Sequence, residues 1–255
     1  MTSVVILGYG NVGKHLCSGF HKASDVTVKQ VYNRKSIRLT SEVKEIPFTT
    51  DLTALETADV YIIAIPDDAI ASFSEGIPLK DALVVHTSGS VPMEILADKN
   101  RKGVFYPLQT FSKASKVDFA DIPICIEAEK PSDLQLLRKL GNALSKKVVE
   151  ISSEERAKLH LSAVFVNNFV NHLYYMSEAY LNENHIDFDL LKPLIAETAR
   201  KMEHLTPTKA QTGPAKRNDQ KTIEKHLKLM GPSPMATLYK QFTDAIQRTT
   251  KSKSN

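Results

Sequence analysis

Val4-Val5-Ile6-Leu7-Gly8-Tyr9-Gly10-Asn11-Val12-Gly13 decides the fold of this chain. Four consecutive apolar residues run into a glycine-rich turn, and Asn11 to Phe20 continues as a helix. A buried parallel strand, a tight turn and a helix start, in that order, make a dinucleotide site. Gly8 permits the sharp exit from the strand, Gly10 leaves the backbone bare for a pyrophosphate, and Gly13 lets helix and strand pack closely. Tyr9, Asn11 and Val12 lie between them on the same turn. The helix N-terminus adds unpaired N–H groups and the positive end of its dipole.

Val26 to Tyr32 reads as a second strand, closing a β-α-β unit of the length this motif needs. Its end selects the cofactor. An NAD site places a carboxylate there to hold the ribose 2′-hydroxyl, and that carboxylate repels a 2′-phosphate. Here the strand ends in Asn33-Arg34-Lys35-Ser36. Arg34 can stack on adenine and pair with phosphate, Lys35 adds charge, and Asn33 and Ser36 add hydrogen bonds. The expected cofactor is NADP(H); a solvated basic turn is the plain alternative.

Further strands are expected at Ile46–Thr50, Val60–Ile65, Ala82–His86, Gly103–Tyr106, Ile122–Glu127 and Lys147–Ile151, with helices over Asp51–Glu56 and Pro131–Ser145. Val60–Ile65 is nearly all apolar, as a strand buried on both faces must be. Ligands of open α/β sheets bind along the carboxyl edge of the strands. Ala64, Ile65 and Pro66, and the small polar loop from Thr87 and Ser88, are therefore placed beside the cofactor. A plain strand–helix connection at 87–90 stays open.

From Ser152 the character changes. Ser152 and Glu155 form a capping box, and a long helix is expected to about Leu181. At 100° per residue His160, Val164, Asn167, Asn171, Tyr175 and Glu178 share one stripe on an otherwise apolar helix. Such a stripe faces a solvent-filled cleft or an internal hydrogen-bond network, because unpartnered burial is costly. Helices over Ile186–Leu205, Asn218–Met230 and Pro234–Thr250 follow, with a loop at Thr206–Arg217. The expected architecture is α/β, a Rossmann dinucleotide-binding domain over 1–151, then an all-α domain over 152–255. Apolar faces left over on those helices suggest a homodimer through the helical domain.

Composition narrows the class. With 255 residues, 42% of them hydrophobic, the chain can bury a sizeable core. The longest aliphatic run is far short of a membrane span, and a core strand begins at once, without a signal peptide. Two cysteines with no metal-ligand spacing fit a reducing cytoplasm and no metal site. Residues 201–255 hold 11 Lys and Arg against 4 Asp and Glu, and residues 1–200 hold 22 against 25. The basic C-terminal part, ending in a frayed tail from Lys251, is either a solvated face or an attractor of an anionic ligand. It lacks the interleaved aromatics of a nucleic-acid surface.

Four further segments carry a family resemblance: Val85-His86-Thr87-Ser88-Gly89-Ser90, Tyr106-Pro107-Leu108-Gln109-Thr110-Phe111, His160 to Asn168, and Thr212 to Asp219. With the glycine turn and the helical second domain, they resemble the β-hydroxyacid dehydrogenase-like superfamily. Within it, the chain is most similar to NADP oxidoreductases grouped with the coenzyme-F420-dependent enzyme, in a branch with a C-terminal domain of unknown function. The resemblance implies a hydride-transferring enzyme. It also exposes two departures. Hydroxyacid dehydrogenases of this group carry a proton-transferring lysine three or four residues before the Asn pair, where this chain has Val164. The branch usually begins its Pro-Leu-Gln-Thr-Phe motif with His, where this chain has Tyr106.

His160, one turn before Val164, is then the candidate general acid or base, since its reference pKa suits proton transfer near neutrality. Asn167 and Asn171 are candidates to orient a carbonyl or imine. Gln109 and Thr110 are candidate substrate contacts, and Arg217 with Lys216 a candidate holder of an anionic group. Two other readings stay open: a non-catalytic NADP(H)-binding sensor or regulatory protein, favoured by Val164, and a scaffold for another nucleotide.

Overall fold

The computed structural model describes residues 1–112 and 117–251. Strand β1 (Thr2–Leu7) pairs on one side with β2 (Val26–Tyr32) and on the other with β4 (Val60–Ile63). Alternate residues of β1 serve opposite faces of the sheet. Val4 and Ile6 pack with Leu16, Cys17 and Phe20 of α1 (Asn11–Lys22), whereas Val5 and Leu7 pack with Ile70 of α2 (Ile70–Gly76). Both faces are covered, which is why the run is uninterrupted.

The sheet has eight strands in the order β3-β2-β1-β4-β5-β6-β7-β8. The remaining strands are β3 (Phe48–Thr49), β5 (Leu83–His86), β6 (Arg101–Pro107), β7 (Ile124–Ala128) and β8 (Val148–Glu150). Only the β6–β7 pairing is antiparallel. The chain leaves β1 outward to β2 and β3, then returns on the other side through β4. That reversal opens a crevice at the carboxyl ends of β1 and β4, where α/β sheets bind ligands. Helix α3 (Pro131–Asn142) adds Leu137 and Leu140 to the core on the α1 face.

Ser152 Oγ accepts from the Glu155 N–H, and the Glu155 carboxylate accepts from the Ser152 N–H, so the capping box forms as expected. Helix α4 (Ser153–Ala163) follows, but the expected uniform helix does not. Val164–Phe169 is π-helical before α5 (Val170–Glu183). A π turn closes i→i+5 hydrogen bonds and advances less per residue than an α turn. The 100° count from His160 therefore loses phase at Val164. The chain divides into two compact units, Met1–Asn168 and Phe169–Asn255.

In the second unit, the expected helix over 186–205 is broken into a 3₁₀ turn (Phe188–Leu191), α6 (Lys192–Arg200) and a second 3₁₀ turn (Lys201–Glu203). Asp187 caps the first turn tightly by accepting from the Asp189 N–H. The segment expected as a loop holds two short helices, α7 (Pro207–Ala210) and α8 (Pro214–Arg217), each opened by a proline whose missing N–H costs nothing there. Helices α9 (Gln220–Met230) and α10 (Pro234–Lys251) pack through Ile223 and Ala236, and His226 Nδ1 bonds the Tyr239 hydroxyl at 2.9 Å. In the first unit, the helix expected over 51–56 is a 3₁₀ turn (Leu52–Ala54), held by Asp51. The rest of the expected tail, 252–255, lies outside the described residues.

Candidate active site

Gly8 has φ 108°, a conformation that favours glycine, and a β-carbon there would lie 2.5 Å from the Ala64 carbonyl oxygen. The exits of β1 and β4 are thus in backbone contact at the crevice, and a β-carbon on Gly13 would run into the Gly8 carbonyl. Gly10 is different. A β-carbon there would meet nothing nearer than the Ala64 oxygen at 4.0 Å. Gly10 caps α1 without any side-chain partner, and the first turn of α1 holds no acidic residue. Bare backbone, open space and an uncapped helix N-terminus fit a pyrophosphate.

Asn33 ties this turn to the end of β2. Its Oδ1 accepts from the Tyr9 N–H at 3.3 Å, and its Nδ2 donates to the Lys35 carbonyl at 2.8 Å. Arg34, Lys35 and Ser36 are exposed beside it. The Tyr9 hydroxyl lies 3.2 Å from Thr40 Oγ1, and Val12 packs partly into the core. Asn11 Nδ2 donates to the Phe111 carbonyl at 3.0 Å.

On β5 the polar loop is braced from below. Thr87 donates both its N–H and its hydroxyl to the Ile63 carbonyl. Ser88 Oγ donates to Asp67 at 2.8 Å and accepts from the Ser90 and Val91 N–H groups, so this hydroxyl is committed inside the loop. Asp67 also accepts from the Ser90 hydroxyl at 2.7 Å. His86, fully buried, accepts the Ser88 N–H on Nδ1 at 3.2 Å, and its Nε2 has no hydrogen-bond partner. Burial first, and the Arg156 guanidinium second, push its pKa down to about 4, against the pull of the Pro92 carbonyl, Asp67 and Glu127. His86 is therefore neutral.

The loop presents Gly89 to His160. A β-carbon on Gly89 would lie 2.7 Å from His160 Cγ and 2.8 Å from Tyr106 Cζ. Tyr106 Oη and His160 Nδ1 are 3.1 Å apart, with the rings edge-on at 71°. Burial above all, with Cys125 adding, raises the Tyr106 pKa to about 12, and Arg156 opposes the shift. The phenol keeps its proton through the physiological range. Tyr106 is thus bonded to His160, the histidine of the cavity.

Tyr106, Leu108, Gln109, Thr110, His160, Val164 and Asn167 line one cavity of about 490 Å³. Of the residues singled out in the sequence, the cavity brings together Gln109, Thr110, His160 and Asn167. Gln109 Oε1 accepts from the Thr110 N–H at 2.8 Å, which leaves its amide NH₂ to donate. Asn171 and Arg217 belong to the second unit, where both are exposed. Lys216 donates to the Gln211 carbonyl at 2.6 Å.

Sequence reasoning missed what sets His160 in place. Arg156, one turn earlier on α4 and 1% exposed, pairs with Glu127 of β7 at 2.5 Å. It also donates to the Val91 carbonyl at 2.6 Å, and Ser153 donates to the same Glu127. One buried cation thus ties α4, β7 and the loop that carries Gly89. An arginine in the first turns of a capped helix gives no sign in sequence of which strand will receive it.

A glycine turn at the switch point of a mostly parallel sheet, with a cavity at its carboxyl edge, defines a Rossmann-like protein of the dinucleotide-dependent type. Residues 3–89 match the family model "NADP oxidoreductase coenzyme F420-dependent", and residues 122–246 match "Domain of unknown function (DUF2520)". A solved Bacteroides fragilis protein named "putative NADP oxidoreductase" is 38% identical, covers 97% of this chain and 98% of its own, and superposes with a TM-score of 0.87. The chain belongs to this NADP oxidoreductase family, whose cofactor is NADP(H). A Thermotoga maritima protein, TM1727, has the same fold at 20% identity, with 99% and 100% of the two chains covered and a TM-score of 0.77. The NADP-bound pyrroline carboxylate reductase of Plasmodium falciparum shares the fold at 13% identity, 98% and 97% coverage and a TM-score of 0.64. No curated protein matches the chain. Among the described residues no helix is long and apolar enough to cross a membrane.

Proposed function

We propose that the chain transfers a hydride between NADP(H) and a small carbonyl/hydroxyl or imine/amine substrate, with residues 1–151 holding the cofactor and 152–255 serving substrate binding and dimerisation. The Tyr106–His160 pair, 3.1 Å apart beside the Gly89 loop, carries this reading. Gly8 to Gly13 hold the pyrophosphate, Arg34, Lys35 and Ser36 the 2′-phosphate end, and Ala64 to Pro66 with Thr87 and Ser88 flank the nicotinamide. NADPH, when bound, supplies the hydride.

His160 supplies the proton. As imidazolium, it donates from Nδ1 to the Tyr106 oxygen and from Nε2 to the substrate oxygen or nitrogen. Loss of the Nε2 proton leaves the neutral Nδ1–H tautomer, still bonded to Tyr106, whose raised pKa keeps the phenol intact. The reverse reaction uses the same atoms as a base. Asn167 orients the reacting group, and Gln109 and Thr110 contact the body of the substrate. Homodimer formation through the helical region is supported by the exposed side chains of Leu161, Val166, Leu190 and Leu194. Two buried free thiols, Cys17 and Cys125, support a cytoplasmic location.

Val164 favours a second reading, a non-catalytic NADP(H)-binding sensor or regulatory protein. NADPH fluorescence titration, followed by NADPH oxidation across a carbonyl and imine panel, separates the two. The proposal expects turnover with at least one substrate, and His160→Ala slowing it by about 100-fold with NADPH binding intact. Tight binding without turnover establishes the second reading, and wild-type turnover in His160→Ala removes that residue's role.

A further inference from the structure

His15 lies in the second turn of α1, beyond the amides that face a pyrophosphate, and the function above does not use it. Its Nε2–H donates to the Ser112 carbonyl at 3.0 Å, and its ring packs against Phe111 with centroids 5.5 Å apart. Phe111 in turn packs on Phe119, at 5.9 Å, and its carbonyl accepts from Asn11. One and two residues before Phe111 the same segment supplies Thr110 and Gln109 to the cavity that holds His160. A run of six residues, from Pro107 to Ser112, therefore reaches from the substrate cavity to the helix that opens at the glycine turn.

We propose that His15 is a positioning residue for the substrate side of the site. By holding the Ser112 carbonyl and the Phe111 ring it fixes the path of Leu108 to Thr110, so that occupancy of the glycine turn orders the cavity wall. The two sites are coupled through α1, and the coupling is reciprocal. This rests on the NADP(H) reading of the glycine turn.

Hydrogen exchange on the full chain, with and without NADP⁺, tests it. NADP⁺ is expected to slow exchange at Leu108 to Phe111 by about fivefold in the wild type, the scale of one or two hydrogen bonds. His15→Ala is expected to bind NADP⁺ within about fivefold of the wild type, the limit reciprocity sets, and to lose that protection, and His15→Gln, which keeps a donor, to restore it. Unchanged protection in His15→Ala overturns the role of His15. NADP⁺ binding that leaves 108–111 unaffected in the wild type overturns the coupling alone. Failure to bind NADP⁺ at all overturns the dinucleotide reading, and this inference with it.

Discussion

Gly89 packs so tightly against His160 that a β-carbon would lie 2.7 Å from the imidazole Cγ. The His160 ring is wedged between a loop backbone and the Tyr106 phenol, and cannot move without opening one of those contacts. Gly89→Ala is expected to displace the ring and lower turnover by about 100-fold, the cost of roughly an ångström of misplacement. NADPH affinity should hold. Steady-state kinetics and the ring ¹⁵N shift of His160 read the effect.

His86 makes stability depend on acid. Its folded pKa, about 4, lies below the reference value of 6.5, so the unfolded chain binds the proton first as pH falls. The stabilisation is fully present above pH 6.5 and is lost progressively towards pH 4, by about 3 kcal/mol in all. His86→Asn keeps an acceptor for the Ser88 N–H and should flatten the slope. Urea unfolding at pH 7 and pH 4.5 measures it.

Buried Arg156 pairs with the half-buried Glu127, and removing one charge strands the other. Arg156→Met is expected to destabilise the protein by about 3 kcal/mol. Adding Glu127→Gln to that variant should recover part of the loss. Chemical denaturation of both single variants and the double variant provides the cycle.

Arg34 stands exposed at the end of β2, where neighbouring residues carry no carboxylate. Arg34→Ala is expected to weaken NADP⁺ binding about tenfold, the value of one charge-assisted contact. NAD⁺ binding should be unaffected. Fluorescence titration with the two dinucleotides distinguishes this from general damage to the turn.

The helical region shows where sequence patterns lose hold. Its capping box was legible because both partners lie within one turn. The cavity takes His160, Val164 and Asn167 from the polar stripe, and the π-helical segment that begins at Val164 breaks the 100° count beyond them. The 3₁₀ turns and short helices of 186–217 were illegible for a related reason. Caps and prolines set these ends locally, and periodicity over so few residues is weak.

The order of residues alone makes the dinucleotide frame readable: strand, glycine turn and helix, and a β2 end without a carboxylate. Those features are local. A continuous apolar run records burial on both faces, and Gly8 records a backbone angle of 108° that other residues rarely adopt. That Tyr106 bonds His160, that Gly89 closes on both, and that Arg156 crosses to Glu127 and Val91 follows from packing alone. These contacts join segments far apart in the chain. Their strength comes from the removal of water around them, and that depends on how the sheet, loop and helix pack rather than on any spacing along the sequence.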